Sequence, residues 1–280
     1  MAVEIQSISG SLGAEISGVD LSRELSNRDG DALHDAFLNH HVLFFRDQSL
    51  SPKQQLRFAS RFGEPDVYPF LEGLPETPEV IDIIKTENDV LNFGGSWHSD
   101  TAYMERPALG TVLHALEVPE CGGDTQFANM AAAYDALSTG MRETLNTLRA
   151  VYSSDHGYQG GRAAGMARLN GMKETYNDAS ASYEAEHPIV RTHPETGRKA
   201  LYLSLGHTVR FVDMTQEESK PLIEYLHHHA TRPEFTCRFR WTPGAVALWD
   251  NRITRHYALN DYAGHRRHMR RVTLKGDKPY

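Results

Sequence analysis

Ala245-Val-Ala-Leu-Trp249, followed by Asp250-Asn-Arg-Ile-Thr-Arg-His256, decides how the rest of this sequence is read. The first five residues are all apolar. A run that short, bounded by Pro243-Gly244 on one side and polar residues on the other, predicts a strand buried on both faces. The polar residues after it end on His256, and a further strand is expected from Arg270 to Leu274.

Other short strands are expected upstream. Val3, Ile5 and Ile8, then Leu12, Ala14 and Ile16, suit two strands and a turn, with Gly10 and Gly13 between them. Val42-Leu-Phe-Phe45, Val80 to Ile84, Thr111 to Leu116 and Phe235 to Trp241 read as further strands. Ile189 to Thr192 and Ala200 to Leu203 flank His193-Pro-Glu-Thr-Gly197 as a hairpin. Helices are expected over 27–39, from Ser51-Pro52 to near Gly63, in two pieces over 130–149 with Ser138 capping the second, and from Thr215 to about Ala230. Ser51-x-x-Gln54 and Thr215-x-x-Glu218 are capping boxes. Residues 64–79 and 86–96 read as irregular. Strand and helix do not alternate, so a doubly wound parallel sheet is disfavoured. The pattern predicts a mainly β protein with inserted helices, two packed sheets in a jelly roll. No linker or repeat divides it, so one domain over residues 1–280 is expected. Residues 153–182 are rich in Gly, Ala, Ser and Asn, and a stretch of that length is expected to be either an active-site lid, the leading reading, or disordered.

The chain has 280 residues, 40% hydrophobic and 24% charged, within the ordinary globular range. A formal net charge of −8 argues against a nucleic-acid partner, which needs a concentrated basic surface. Two cysteines, Cys121 and Cys237, are too few for a disulfide framework. With no leader pattern and no apolar stretch of spanning length, a soluble, cytoplasmic protein without membrane contact is expected.

Trp97-His98-Ser99-Asp100 carries the chemistry. In an extended strand, side chains two apart share a face, so His98 and Asp100 can reach one metal ion. Two histidines and one carboxylate leave three positions open on an octahedral ion, the arrangement suited to ferrous iron and O₂. Alone the pattern is weak, because 15 histidines make a chance match easy and a solvated strand end explains it as well. His193-Pro-Glu195 has the same spacing but falls in a turn and is read as no site. His227-His-His229 falls on a helix, where neighbours diverge by about 100°, and is read as a solvated face. His256 supplies a third ligand for His98 and Asp100. Arg267, eleven residues further on, offers a guanidinium that could grip a dicarboxylate.

With these residues in view, the chain resembles the taurine and 2,4-dichlorophenoxyacetate dioxygenases nearly end to end. The shared motifs include Phe44-Phe-Arg-Asp-Gln48, Arg61-Phe-Gly-Glu64, Trp97-His-Ser-Asp100, Gly122-Gly-Asp-Thr125, His187 to Arg198, Trp249-Asp-Asn-Arg252 and Lys275-Gly-Asp-Lys-Pro-Tyr280. The resemblance implies a double-stranded β-helix, and Fe(II), 2-oxoglutarate and O₂ as cofactor and cosubstrates. It implies hydroxylation of a small anionic organic substrate, a carboxylate, sulfonate or sulfate ester, with release of succinate and CO₂. It places the iron ligands at His98, Asp100 and His256, the far carboxylate of 2-oxoglutarate at Thr125 and Arg267, and the anionic end of the substrate at Arg271. Arg267 and Arg271 are four apart in an expected strand and so share a face, with Arg266 and Arg270 outward. The remaining substrate-contact positions fall on Tyr68, Leu71, Gly94 and His207. These differ from the taurine-specific pattern, so taurine or a related alkylsulfonate is the alternative rather than the first substrate. Tyr68, Phe70, Leu71 and Tyr103 would suit a less polar body behind the anionic head. The resemblance also implies a homo-oligomer. Two readings from other classes stand beside it: a zinc-dependent hydrolase using the same three ligands, and a non-catalytic binding module on the same fold.

Overall fold

The computed structural model describes residues 3–157, 162–171 and 182–280. The amino-terminal half contains β1 (Glu4–Ser7), β2 (Ala14–Ser17), α1 (Asn27–His40), β3 (Val42–Phe45), α2 (Pro52–Ala59), β4 (Pro65–Asp66), β5 (Val80–Lys85) and β6 (Gly110–Glu117). It continues through β7 (Thr125–Asn129), α3 (Met130–Asp135), α4 (Thr139–Leu145), β8 (Arg149–Ser153), α5 (Arg162–Met166), β9 (Glu184–Pro188), β10 (Val190–Thr192) and β11 (Lys199–Leu201). The last part is β12 (Thr208–Phe211), α6 (Gln216–Ala230), a 3-10 turn at Pro233–Phe235, β13 (Thr236–Phe239), β14 (Val246–Asp250), β15 (Thr254–Ala258) and β16 (Arg267–Leu274).

Two sheets make the jelly roll. The larger runs β1-β2-β3-β14-β6-β16, and β16 pairs onward with both β5 and β4. The smaller is β13-β7-β15. The run Ala245–Trp249 lies at the centre of the larger sheet, with β14 antiparallel to β3 on one side and to β6 on the other. This position explains why every residue of β14 is apolar up to Asp250: both faces are covered.

Alternation along the strands divides two cores. Leu43, Phe45, Val112, Val246, Leu248 and Val272 face α1 and α2 and pack with Leu33, Phe37 and Phe58. Phe44, Leu113, Ala247, Trp249 and Met269 point the other way and meet Phe127 and Phe239 of the smaller sheet. Phe44 and Phe239 stack with ring centres 4.0 Å apart. Each aromatic buried here contributes about 2–3 kcal/mol through area removed from water. Both capping boxes form, at Ser51–Gln54 and Thr215–Glu218, and Ser138 caps α4.

Several expectations are corrected. The last strand is longer than Arg270 to Leu274 and begins at Arg267, because β5 and β6 pair with it along that length. Strands β7, β8, β9, β12 and β15 were not anticipated; their short polar-rich sequences carry little alternation of their own. Within the irregular stretch 64–79, Pro65–Asp66 pairs with the end of β16. His229 does not sit on a solvated face: it is buried against α3 and its Nε2 bonds the Ala133 carbonyl at 2.8 Å. Of the expected lid, residues 158–161 and 172–181 lie outside the described residues. Among the described residues, no helix is long and apolar enough to cross a membrane.

Candidate active site

Four chain segments meet between the two sheets. β15 brings His256, β7 brings Thr125, and β16 brings Arg267 and Arg271 from the opposite sheet. The fourth segment is not the strand that the H-x-D spacing predicts. His98 forms an isolated bridge with His256, each backbone N–H donating to the other's carbonyl at 3.0 and 2.9 Å, and Asp100 lies in the turn that follows. The two side chains converge because this bridge registers His98 against His256, placing their ring centres 4.2 Å apart.

His98 Nε2 and His256 Nε2 lie 3.7 and 3.8 Å from Asp100 Oδ1. The three ligand atoms all lie within 4.8 Å of one another, and all three residues are buried. One ion with bonds of about 2.0–2.2 Å can take them after small rotations. The donor set, two imidazole nitrogens and one carboxylate oxygen, fits ferrous iron with open positions. Supporting contacts select the atoms. His98 Nδ1 bonds the Ser96 carbonyl at 2.7 Å, which leaves Nε2 as the lone-pair nitrogen. Asp100 Oδ2 accepts from the Thr111 hydroxyl at 2.8 Å and from Asn251 Nδ2 at 3.1 Å, which leaves Oδ1 facing the histidines. Burial alone would raise the Asp100 carboxyl, but Arg271, then His256 and His98, hold it well below the usual carboxylate range. Burial pushes both histidines down, so they are neutral donors at pH 7.

The arginines fall where the alternation puts them. Arg267 and Arg271 face inward and are buried, while Arg266 and Arg270 turn outward to Glu117 and Asp82. Arg267 keeps Nε and Nη2 buried without a hydrogen-bond partner among the described residues. Buried donors left unanswered are costly, and a bidentate anion is what this fork fits. Thr125 stands beside it. The Trp241 indole donates to Thr125 Oγ1 at 2.9 Å, which leaves the hydroxyl proton free to donate to a ligand. Both residues line a small cavity of about 40 Å³ together with His98, His256 and Arg271. Arg271 Nη2 lies 2.9 Å from Asp100 Oδ1 as an ion pair without hydrogen-bond alignment, and its guanidinium sits 5.2 Å from the Tyr68 ring centre.

A larger cavity of about 250 Å³, lined in part by His98 and Asp100, adjoins the smaller one. Arg271, Tyr68, Gly94 and His207 all line the larger cavity. Gly94 has φ +77°, and a Cβ there would come within 3.1 Å of His98 Cε1, so only glycine lets this loop lie against the ligand. Leu71 is a correction: it is buried in the core and does not line either cavity, whereas Phe70, offered with it, does. Tyr68, Phe70 and Tyr103 are wall residues as well as core residues. Phe93, Met166 and Asn260 complete walls that the sequence reading did not identify. Phe93 and Asn260 lie in loops without periodicity, and Met166 lies in the glycine-rich stretch, so no local signal marked them.

The profile described as "Taurine catabolism dioxygenase TauD, TfdA family" matches residues 4–273. The chain is similar to an alkylsulfatase of Acinetobacter baylyi, 38% identical over 277 residues, covering 98% of this chain and 86% of the relative. It is 37% identical over 282 residues to an alpha-ketoglutarate-dependent sulfate ester dioxygenase of Pseudomonas putida, covering 100% and 91%. Among solved structures, a taurine dioxygenase from Burkholderia xenovorans superposes with a TM-score of 0.83 at 36% identity, covering 100% of this chain and 93% of that one. The hydrolase and binding-module readings are set aside by these matches. The chain belongs to the TauD/TfdA family and is an oxidoreductase, a dioxygenase that uses Fe(II), 2-oxoglutarate and O₂.

Proposed function

We propose that His98, Asp100 and His256 hold the iron, that Thr125 and Arg267 hold the far carboxylate of 2-oxoglutarate, and that Arg271 anchors the anionic head of a sulfate ester of an apolar alcohol. The observation that carries this reading is a buried two-histidine, one-carboxylate set with two buried arginines beside it, Arg267 and Arg271 in the smaller cavity and Arg271 also on the wall of the larger. Bound iron supplies the oxidative decarboxylation of 2-oxoglutarate and the hydroxylation of a substrate C–H bond. The protein does the rest. Arg267 and the Thr125 hydroxyl fix one end of 2-oxoglutarate. Arg271 fixes the substrate anion, while the aromatic walls at Tyr68, Phe70, Phe93 and Tyr103 take an apolar body and exclude water. Gly94 offers no side chain to a substrate amine, which disfavours taurine.

The overall change is substrate C–H plus O₂ plus 2-oxoglutarate to C–OH plus succinate plus CO₂. For a sulfate ester hydroxylated on the carbon that bears the ester oxygen, the C–O bond to sulfate then breaks, giving an aldehyde and inorganic sulfate. The names of the relatives, alkylsulfatase and sulfate ester dioxygenase, support that class. A single domain over residues 1–280 acting as a cytoplasmic homo-oligomer is the accompanying proposal. It rests on the family resemblance and is tested by light scattering.

Two experiments test the reading. Anaerobic Fe(II) and 2-oxoglutarate should give a visible charge-transfer absorption that His98→Ala lacks; a folded, iron-loaded protein without that absorption rejects the ligand assignment. A panel of n-octyl sulfate, an aryloxyacetate and taurine, scored by succinate formation and oxygen uptake, should rank octyl sulfate first. Taurine ranking first by a wide margin rejects the substrate assignment.

A further inference from the structure

Asp89 is a carboxylate that the chemistry above does not use, yet it is only 3% exposed. It lies in the loop between β5 and His98. Its Oδ2 accepts from the backbone N–H and the hydroxyl of Thr86, both at 2.8 Å. Its Oδ1 accepts from the backbone N–H of Asn170 at 2.9 Å and from Asn170 Nδ2 at 2.8 Å. Burial raises the carboxyl, but the donors of Asn170 and Thr86 outweigh it and leave it below its ordinary value. A buried negative charge is thus held by neutral donors, an arrangement that is stable only while those donors stay in place.

The Thr86 bonds close a local turn, whereas Asn170 is 81 residues away in sequence. It ends the described piece 162–171, which also carries Met166. Met166 is 4% exposed and lies on the wall of the larger cavity with Phe70 and Tyr103. The Leu169 N–H donates to the Met166 carbonyl at 2.9 Å, so the chain between Met166 and Asn170 is a compact turn. Fixing Asn170 therefore fixes Met166. At Gly171 a Cβ would lie 2.4 Å from the Ile84 carbonyl oxygen, so the chain presses directly on β5 next to the Asp89 loop. The other side of that loop is pinned to the strand that carries His256. Asn92 donates to the Ala258 carbonyl at 2.9 Å, and Asn260 donates to that of Val90 at 2.8 Å.

We infer that the Asp89–Asn170 pair is a clasp that holds Met166 as the roof of the substrate cavity, which makes Asp89 a positioning residue for the prime substrate. The inference rests on the assignment of that cavity to the substrate. Loss of the clasp loosens the roof while leaving the iron ligands and the 2-oxoglutarate cradle in place, so it acts on substrate affinity and on coupling.

The test uses the full chain as wild type, Asp89→Ala, Asn170→Ala and Asp89→Asn, the last of which keeps an oxygen acceptor for Asn170. Trypsin cleavage after the exposed Arg168 is followed without metal, and turnover is followed with Fe(II), 2-oxoglutarate and n-octyl sulfate. Asp89→Ala and Asn170→Ala should each speed cleavage and raise the KM for octyl sulfate by about tenfold. They should yield more succinate per sulfate released, with the KM for 2-oxoglutarate unchanged, and Asp89→Asn should recover much of the loss. Unchanged cleavage overturns the clasp. Faster cleavage with unchanged KM and coupling overturns its role at the cavity. If Asp89→Ala does not fold, Asn170→Ala carries the same comparison. A wild-type enzyme that leaves octyl sulfate untouched rejects the substrate assignment, while the cleavage rates still decide the clasp.

Discussion

Two buried charge clusters stand at opposite ends of the Asp250–His256 stretch, and they are satisfied very differently. Around Asp250, Arg252 donates through Nε at 2.8 Å and Nη2 at 2.7 Å, and His193 Nε2 bonds at 2.9 Å. Arg252 Nη1 goes on to Glu195 at 2.6 Å, and Glu195 meets His34 at 2.8 Å. The carboxylates and the guanidinium answer one another, so this cluster ties the β10–β11 hairpin to the end of β14 and needs nothing else. Around Asp100, one carboxylate faces two histidines and Arg271, while Arg267 has no counter-charge at hydrogen-bond distance among the described residues and keeps two donors orphaned there. Saturation marks scaffold, and a surplus of buried cationic donors marks a place built for anions. The same contrast explains why His193-Pro-Glu195 and His98-Ser-Asp100, alike in spacing, differ in use: His193 and Glu195 are consumed by Asp250 and Arg252.

The contrast can be broken most severely at the ligands. His98→Ala should reduce dioxygenase turnover to background and abolish the charge-transfer absorption while leaving the unfolding midpoint nearly unchanged. Turnover that survives would move the chemistry elsewhere. Next in size, Asp250→Ala should cost about 3–5 kcal/mol in urea unfolding, because it strands Arg252 in the interior. A loss below about 1 kcal/mol would show that the network is not the scaffold described here. Arg267→Met should do the reverse. The protein should be as stable as wild type or more so, since a buried unpaired cation is removed, while the KM for 2-oxoglutarate rises about 100-fold. A large stability loss with unchanged KM would place Arg267 in the scaffold.

Smaller effects sharpen the boundary between the clusters. Asn251 sits on it, accepting from the Asp100 N–H at 3.2 Å and the Trp249 indole at 3.1 Å and donating to Asp100 Oδ2. Asn251→Ala should weaken metal binding about tenfold by freeing the carboxylate to rotate, as measured by titration with Mn(II). His41 probes the scaffold side through pH. Burial, reinforced by Arg198 and His193 against the pull of Asp250, holds its imidazole at about 4. Below pH 6.5 the unfolded chain takes up a proton that the folded chain refuses until about pH 4, so stability is full above 6.5 and falls across that window. His41→Phe should flatten the fall by about 1 kcal/mol per pH unit in urea titrations at pH 6.5, 5.5 and 4.5.

Much of this was legible without coordinates. The strand at Ala245–Trp249, the capped helices and the hairpin around His193 are written in local pattern, since period, caps and turn residues act over a few positions. Arg267 and Arg271 were assignable to one face for the same reason. The family motifs named the metal set. The walls of the larger cavity were less legible: Tyr68, Phe70, Gly94 and His207 line it, but Leu71, adjacent to Phe70, turns into the core. In an irregular loop, no periodicity says which of two adjacent residues points inward.

By itself, then, the sequence determined most strands of the larger sheet, the in-and-out order of the β16 arginines and the three candidate ligand residues, because each follows from a short repeat or a dense motif. Tertiary structure alone decided that His98 and Asp100 converge in a bridge and turn rather than a strand. It also decided which histidines are spent on scaffold and which Asp89 partner holds the cavity roof. Those outcomes depend on pairing between segments far apart in the chain, and such pairing leaves no mark on either segment alone.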